Sequence, residues 1–300
     1  MSKINLEQKY QKKSQLEHIL DLPDTYIGST EPTTEEEFVF ENDRIFRKEV
    51  TYNKGLRNIF NELLVNAIDH HVRCHNDDDV ENVKYIKVTF DIENNRISVK
   101  NEGSIEISEH PTIKDEKGKS IYIPELIFGH LLTSSNYDKN EKKIVGGKNG
   151  YGAKLTNIFS SEFKIVTIHE GYKYVQIFKN NMSEKDKPKI TKCSTKPYTE
   201  ISFIPDLKRF GIEKLDNDII SLMKKNVIDA TACTEKYLTV ELDGNKLSSK
   251  TLEKYMDYYF NDKIKKLVCK PNNYWEIGIT SSNDSKLEQV SFVNGIYTSK

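Results

Sequence analysis

The chain has 300 residues, of which 36% are hydrophobic, 10% aromatic and 30% charged, a composition typical of a soluble globular protein. The 45 Lys and Arg residues nearly cancel the 46 Asp and Glu residues, for a formal net charge of −1. This balance excludes a polycation that coats nucleic acid by net charge alone, but it leaves room for a local basic patch. No apolar run approaches the roughly 20 residues that span a bilayer, and the polar start of the chain lacks the apolar stretch of a secretory signal.

The cysteine pattern indicates the compartment. The chain contains four cysteines without paired spacing, namely Cys74, Cys193, Cys233 and Cys269. Scattered cysteines of this kind are typical of free thiols in a reducing environment, not of a disulfide framework. We therefore expect an intracellular protein.

The first elements along the chain are an arm, a helix and a hairpin. Residues 1–20 are polar with few apolar anchors, which predicts an arm that precedes the core. Residues 55–73 carry apolar side chains at helical spacing, among them Leu56, Ile59 and Leu63, and predict an amphipathic helix. Residues 85–90 and 96–99 alternate between apolar and polar side chains around a turn, which predicts a β-hairpin.

The remaining pattern predicts a mixed succession of helices and strands. Helices are expected at 122–132, 150–160 and near 214–229, and strands at 163–168, 173–178, 199–204 and 237–242. A second region then opens with a helix at 252–260 and continues with strands at 275–280 and 289–294. About 50 residues is short for an independent domain, so we expect the chain to be part of a longer protein.

The predicted helix at 55–73 has a polar stripe beside its apolar face. Glu62, Asn66, Asp69 and Arg73 fall within about 60° of arc when each residue turns the helix by roughly 100°. An ordinary solvated face would give the same pattern. A row of short hydrogen-bonding side chains among Leu and Ile residues also fits a binding site.

A glycine cluster, Gly146-Gly-Lys-Asn-Gly-Tyr-Gly-Ala-Lys154, precedes the helix predicted at 150–160. Glycines let backbone N–H groups approach phosphate oxygens, and a helix start presents its positive end there. The order of glycines differs from the dinucleotide fingerprint, and Ala153 stands where a Walker loop needs Lys. The alternatives are a flexible loop and a phosphate site whose metal ligand comes from elsewhere, with Asn66 as a candidate.

Three further groups of polar residues are candidates for a binding site. Asn101-Glu-Gly103 follows a predicted strand directly, and its Asn side chain could pair with a nucleobase edge or simply form a turn. Thr133-Ser-Ser-Asn136 adds hydroxyls and an amide before the glycine cluster, or caps a helix. The group from His70 to His75, which includes Cys74, lacks the second ligand pair of a structural zinc site.

Taken in order, these motifs resemble the ATPase region of eukaryotic-type DNA topoisomerase II. The carrying motifs are Glu62-Leu-Leu-Val-Asn66-Ala-Ile-Asp69, Asn101-Glu-Gly103, Thr133-Ser-Ser-Asn136-Tyr-Asp138 and Gly147-Lys-Asn-Gly-Tyr-Gly-Ala-Lys154, with Pro23-Asp-Thr-Tyr-Ile-Gly28 and Tyr122-Ile-Pro-Glu-Leu-Ile-Phe-Gly129 beside them. The resemblance implies the GHKL (Bergerat) fold, a two-layer α/β sandwich with a mixed, largely antiparallel sheet. It also implies an ATP-binding domain over 1–250 and the start of a transducer domain over 251–300.

The resemblance implies a role for each matching residue. Glu62 looks like the catalytic base that activates water, Asn66 like the magnesium ligand, and Asn101 like the residue that reads the adenine amine. Ser134, Ser135 and Asn136 look like ribose and phosphate contacts. The loop that closes over the triphosphate would comprise Gly147, Lys148, Asn149, Gly150, Tyr151, Gly152, Ala153 and Lys154. Tyr10 resembles an arm residue that reaches the nucleotide of the opposite subunit.

Function follows from the same resemblance. It implies an ATP- and Mg²⁺-dependent clamp that dimerises on ATP binding and traps DNA, in the nucleus of a cellular eukaryote or in the host cytoplasm or virion of a virus, without a membrane partner. A mismatch-repair clamp of the MutL kind would share the central motifs but not the sequence motif at 133–138. An inactive interaction module would lack Glu62. His70, where the family commonly has Asn, and Lys148, where Arg is usual, depart from the pattern.

Overall fold

A nine-stranded sheet forms the centre of the protein in a computed structural model, which describes residues 13–75, 82–131, 152–260, 264–272, 274–281, 287–293 and 296–298. The described helices are α1 (Gln15–Asp21), α2 (Pro23–Tyr26), α3 (Lys54–His75), α4 (Ile123–Gly129), α5 (Gly152–Ile158), α6 (Asn217–Ala232) and α7 (Leu252–Met256). None of them is long and apolar enough to cross a bilayer.

The strands of the central sheet are β3 (Tyr85–Asp91), β4 (Arg96–Glu102), β7 (Ser160–His169), β8 (Tyr172–Lys179), β9 (Glu184–Lys185), β10 (Lys189–Lys192), β11 (Tyr198–Pro205), β12 (Thr239–Leu242) and β13 (Asn245–Lys246). Separate two-stranded sheets are formed by β1 (Pro32–Glu41) with β2 (Arg44–Asn53), β5 (Glu109–Lys114) with β6 (Ser120–Tyr122), β14 (Lys266–Asn272) with β15 (Trp275–Thr280), and β16 (Phe292–Val293) with β17 (Ile296–Tyr297).

The central sheet runs in the order β10-β8-β7-β11-β4-β3-β12-β13, with β9 beside β8. Strand β12 is parallel to β3, and the other pairs are antiparallel. Side chains alternate along each strand, so that in β8 Tyr174, Gln176 and Phe178 are buried while Val175 and Ile177 are partly exposed. The predicted mixed, largely antiparallel sheet is confirmed.

Helices α3, α5 and α6 supply the other layer of the core. The apolar face predicted for α3 is buried, with Leu56, Ile59 and Phe60 fully inaccessible to solvent. The side-chain oxygen of Asp216 caps α6 by accepting from the backbone N–H of Ile219, and Val227 of α6 is fully buried. These contacts bring three helices that are far apart in the chain into one layer.

Three predictions near the ends of the chain were wrong in their extent. The N-terminal arm does not extend to residue 20, because Ser14 and Glu17 form a capping box that starts α1 and Ile19 is fully buried in the core. One buried side chain in a seven-residue helix leaves too short a pattern to recognise. The helix expected over 252–260 ends at Met256. Of the described residues in the strand expected over 289–294, Phe292 and Val293 are in a strand and 289–291 are not.

The region after residue 250 packs against the β1–β2 hairpin. The backbone N–H of Ile45 donates to the carbonyl of Tyr258 across 2.7 Å. The ring of Tyr259 lies edge-on to Phe38 and that of Tyr258 edge-on to Phe40, at centroid distances of 5.3 and 5.6 Å. Aromatic pairs in this geometry add to the stability gained from buried area.

Candidate functional site

Helix α3 carries the polar stripe, and the structure gives its members different environments. Glu62 is half-buried, Asn66 is exposed, and Asp69 is buried with 4% of its surface accessible. The stripe is therefore not a uniformly solvated face. It runs from the protein interior at Asp69 to open solvent at Asn66.

Burial changes the acidity of Glu62. Loss of water around the carboxyl group raises the pKa of Glu62, and the negative charge of Asp69 raises it further. A carboxylate with a raised pKa accepts a proton more readily than an exposed one, which is the property required of a general base. A perturbed pKa at a half-buried group also marks candidate functional sites.

The end of the glycine cluster lies directly against Glu62. A Cβ atom built on Gly152, the first residue of α5, would lie 2.9 Å from Glu62 Cδ and would overlap Oε2. Real Cβ atoms essentially never approach so closely, so only glycine fits here without a shift of one partner. The start of α5 and the polar stripe of α3 thus form one site, although 89 residues separate them in the chain.

Buried hydrogen bonds hold α5 in this position. The hydroxyl of Thr156 donates to the carbonyl of Ile59 on α3 across 2.8 Å. The amide of Asn157 donates to the carbonyl of Phe128 on α4 across 3.0 Å. Both side chains are nearly inaccessible to solvent, and buried hydrogen bonds of this kind fix one arrangement of neighbouring elements.

The next two residues of the predicted loop are buried. Ala153 and Lys154 have 8% and 3% of their surface accessible, and burial lowers the pKa of Lys154 to about 8. Their side chains are therefore not displayed to solvent. The first N–H groups of a helix have no partner within the helix and suit an anion.

Asn101 lies at the end of β4 and is buried, with its side-chain amide donating to the carbonyl of Glu102 across 2.8 Å. Opposite it on β11 stands Thr199, whose hydroxyl lies 3.2 Å from that of Thr167 and 3.1 Å from the carbonyl of Gly103. Neither threonine was predicted from the sequence as a site residue. The sequence does contain one indication of them. Thr167 and Thr199 are polar residues at strand positions where the alternation predicts a side chain that points inward.

The second contact of α3 is between His70 and the Asn101-Glu-Gly103 motif. Gly103 has a φ of +98°, which favours glycine, and a Cβ there would lie 3.2 Å from His70 Cδ2. Burial lowers the pKa of His70, helped by the positive charge of Arg73. Within the described residues, no three His, Cys, Asp or Glu side chains converge as a metal site, and His70 instead contacts Cys74 at 3.8 Å.

Helix α3 therefore touches two of the motifs, Gly152 through Glu62 and Gly103 through His70. His70 is eight positions after Glu62 in the helix, which corresponds to about 12 Å along the axis. The remaining candidate residues lie outside the described part of the chain, namely Tyr10, Ser134, Ser135, Asn136, Gly147, Lys148, Asn149, Gly150 and Tyr151.

Comparison with known proteins identifies the class. No protein-family model matches the chain. DNA topoisomerase 2 of Arabidopsis thaliana is 46% identical over 98% of this chain, and the match covers 20% of that protein. DNA topoisomerase 2 of Acanthamoeba polyphaga mimivirus is 42% identical over 99% of this chain and 23% of its own length. The chain spans about a fifth of the length of these curated relatives.

Solved structures agree with this match. The ATPase region of Saccharomyces cerevisiae topoisomerase II superimposes with a TM-score of 0.86 at 43% identity, covering 97% of this chain and 75% of that one. The 43K ATPase domain of Thermus thermophilus gyrase B gives a TM-score of 0.52 at 19% identity over 77% of this chain and 50% of that one, a likeness of fold alone. The fold is therefore that of the GHKL ATPases. The chain belongs to the eukaryotic-type DNA topoisomerase II family and corresponds to its ATPase region.

Proposed function

We propose that this chain binds ATP with magnesium along helix α3 and hydrolyses it beside Glu62. The observation that carries the proposal is the pair of contacts made by α3, Glu62 against the start of α5 and His70 against the Asn101-Glu-Gly103 motif. An extended nucleoside triphosphate can span the distance of about 12 Å between them. The matched structure of Saccharomyces cerevisiae topoisomerase II is an ATPase region, which supports this assignment.

Each end of the nucleotide would lie next to residues that can bind it. Asn101 would pair with the adenine amine at the sheet end, because an amide can donate and accept at once. The N-terminus of α5, together with the residues from Gly147 to Tyr151, would receive the phosphates. Glu62 would accept a proton from the attacking water at the γ-phosphate, since phosphoryl transfer needs positioning and charge neutralisation more than covalent help.

Asn66 would hold the magnesium ion. Its side chain is exposed one helical turn from Glu62, and its amide oxygen is a ligand type that Mg²⁺ accepts, with phosphates and waters completing the shell. When bound, the ion supplies charge neutralisation on the phosphate oxygens. Glu62 would thus act on the attacking water, and Asn66 would act on the binding of the magnesium ion.

The complete protein would use this site as the clamp of a type IIA topoisomerase. ATP binding would dimerise two such domains around a DNA segment, with Tyr10 of each reaching the nucleotide of its partner, and hydrolysis would reset the gate. Residues 1–250 would form the ATP-binding domain and 251–300 the start of a transducer. Because the matched relatives are eukaryotic and viral proteins, we propose the nucleus for a cellular eukaryote and the host cytoplasm or virion for a virus.

A phosphate-release assay on this chain and a DNA-relaxation assay on a protein of the relatives' full length test the proposal. We expect ATP hydrolysis by both and relaxation of supercoiled DNA by the longer one. Hydrolysis without ATP-dependent relaxation would favour a mismatch-repair clamp. Absence of nucleotide binding would favour an interaction module.

A further inference from the structure

Five lysines gather at the β10 end of the central sheet. Lys173 lies on β8, Lys189 and Lys192 on β10, and Lys187 and Lys196 on either side of β10. Lys173 is partly exposed and the other four are exposed. The segment 187–196 contains four lysines and no Asp or Glu. We call these five residues the basic edge.

Several cations elsewhere on the sheet are paired with carboxylates, whereas those of the basic edge have no such partner among the described residues. Lys87 and Arg96 lie 2.7 Å from Glu241 and Glu162, and Lys100 lies 3.7 Å from Glu200. No residue of the basic edge forms an ion pair with another described residue. A protein with a net charge of −1 thus keeps an uncompensated positive surface at one end of its sheet.

Protection of the sheet edge does not account for the whole arrangement. Lysines on an edge strand prevent pairing with another chain, and this explains Lys189 and Lys192. It does not explain Lys173, whose strand is paired on both sides, or Lys187 and Lys196, which lie outside the strand. Beside them is a surface cavity of about 390 Å³ lined by Gly171, Tyr172, Lys192, Cys193 and Ser194.

We infer that the basic edge binds the phosphate backbone of duplex DNA. Lys173 pairs with Thr191 of β10, two residues from Lys189, so the side chains of Lys173 and Lys189 lie on one face of the sheet, about 8 Å apart at roughly 4.8 Å between strands and 3.3 Å per residue. A DNA strand carries one phosphate per roughly 3.4 Å of helix axis, so these side chains can contact phosphates of one strand. The inference goes beyond the proposed function, because it assigns a DNA-binding surface remote from the Glu62 site in the chain.

Lysine contacts of this kind carry no sequence information and depend on salt. Each phosphate that a lysine neutralises releases counterions and adds about 0.9 to the slope of log affinity against log salt. Removing four lysines should therefore reduce the slope by up to about 3 to 4. The loss should be the same for duplexes of different sequence.

The test measures fluorescence anisotropy of a short labelled duplex with the 300-residue chain between about 50 and 200 mM salt. The test variant is K187A/K189A/K192A/K196A. The control variant is K208A/K214A/K236A/K246A, which removes the same charge from four exposed lysines that form no ion pair with another described residue. Circular dichroism melting establishes that both variants are folded.

We expect the test variant to bind at least about tenfold more weakly with a shallower slope, and the control to bind like the parent chain. Equal weakening of both variants, no weakening of the test variant, or no binding by the parent chain would each overturn the inference. Unchanged DNA binding would leave an acidic protein segment as the partner to seek. ATP binding, measured by calorimetry on the same variants, reports on the proposed function separately.

Discussion

Gly152 and Glu62 occupy adjoining space, so that a Cβ at position 152 would lie 2.9 Å from Glu62 Cδ. The absence of a side chain on the first residue of α5 is therefore what lets the carboxyl group lie at the N-terminus of that helix. The same helix end is the place where phosphate is expected. This contact places the candidate base and the candidate phosphate site next to each other.

Gly152→Ala should displace the Glu62 carboxyl group. A misplacement of about 1 Å can cost on the order of 10²-fold in rate, so we expect ATP turnover to fall by that order. Steady-state phosphate release measures it. Asn217→Ala is the matched control, because it places alanine at the exposed first residue of another helix, α6, and its turnover should stay close to that of the parent chain.

The same contact can be tested without activity. Crowding at Gly152→Ala should cost about 1–3 kcal/mol of unfolding free energy. In a Glu62→Ala background the clashing atoms are gone, so the second substitution should cost much less. Additive costs in this double-mutant cycle, measured by urea unfolding, would mean that residues 152 and 62 do not touch.

Acid stability should depend on Glu125. Burial alone would raise the pKa of Glu125, but hydrogen bonds from His130, Lys185 and Gln176 outweigh it and lower the pKa to about 2. A carboxyl group with a depressed folded pKa stabilises the protein above its unfolded pKa of about 4.5 and loses this contribution as the pH falls towards 2. We expect the stability advantage of the parent chain over Glu125→Gln to shrink across that window.

Urea unfolding at a series of pH values measures this effect. Glu93→Gln, at an exposed residue without an ion pair to another described residue, is the control and should follow the parent chain at every pH. A constant difference between the parent chain and Glu125→Gln from pH 4.5 to 2 would contradict the assigned hydrogen bonds.

The region after residue 250 should depend on a buried ion pair. Lys225 Nζ lies 2.7 Å from Asp229 Oδ2, and the Tyr255 hydroxyl donates to Asp229 Oδ1 across 2.8 Å. Burial raises the pKa of Asp229 and lowers that of Lys225. Burial thus disfavours both charged forms, and each is stabilised by the opposite charge of its partner. Asp229→Ala should cost about 3–5 kcal/mol, whereas the double variant Lys225→Met with Asp229→Leu should cost much less.

Thermal and urea unfolding measure these costs. The exposed pair Lys13–Asp21 offers a control, since Asp21→Ala should change stability little. If the double variant is as unstable as Asp229→Ala, the loss comes from packing and not from the uncompensated lysine.

Deleting residues 1–12 should separate nucleotide binding from dimerisation. This deletion removes Tyr10 but keeps Ser14, whose side chain caps α1. We expect ATP binding to persist and ATP-dependent dimerisation to weaken, as measured by light scattering with a non-hydrolysable analogue. A Tyr10→Ala variant should share the defect. Undiminished dimerisation of both would remove the proposed role of the arm.

The local sequence patterns predicted those helices and strands whose formation depends on neighbouring residues in the chain. The apolar spacing of 55–73 and the alternation of 85–90 and 96–99 were sufficient for α3 and for the β3–β4 hairpin, because those elements bury a regular face. The hairpin at Pro32–Asn53 was missed, since its first strand carries three consecutive glutamates at 35–37. Its buried face is covered by α6 and by Tyr258 and Tyr259, all of them far along the chain.

The site was predictable in its residue types but not in its contacts. Glu62, Asn66 and Gly152 stand out in the sequence, but the contact between Glu62 and Gly152 exists only because Thr156 and Asn157 fix α5 to α3 and α4. Hydrogen bonds between distant segments of the chain produce no periodic pattern in the sequence. The burial of Lys154, and with it a pKa of about 8, depends on the same packing.

The most direct measurement of the central claim compares Glu62→Gln with Asn66→Ala, using calorimetry with Mg²⁺-ATP and phosphate release on the same samples. Because Glu62 would act on water, Glu62→Gln should bind ATP like the parent chain and release no phosphate. Because Asn66 would hold the ion, Asn66→Ala should bind Mg²⁺-ATP at least about tenfold more weakly, as expected for loss of a charge-assisted contact. Equal loss of ATP binding in the two variants, or phosphate release by Glu62→Gln at the parent rate, would contradict the proposed site.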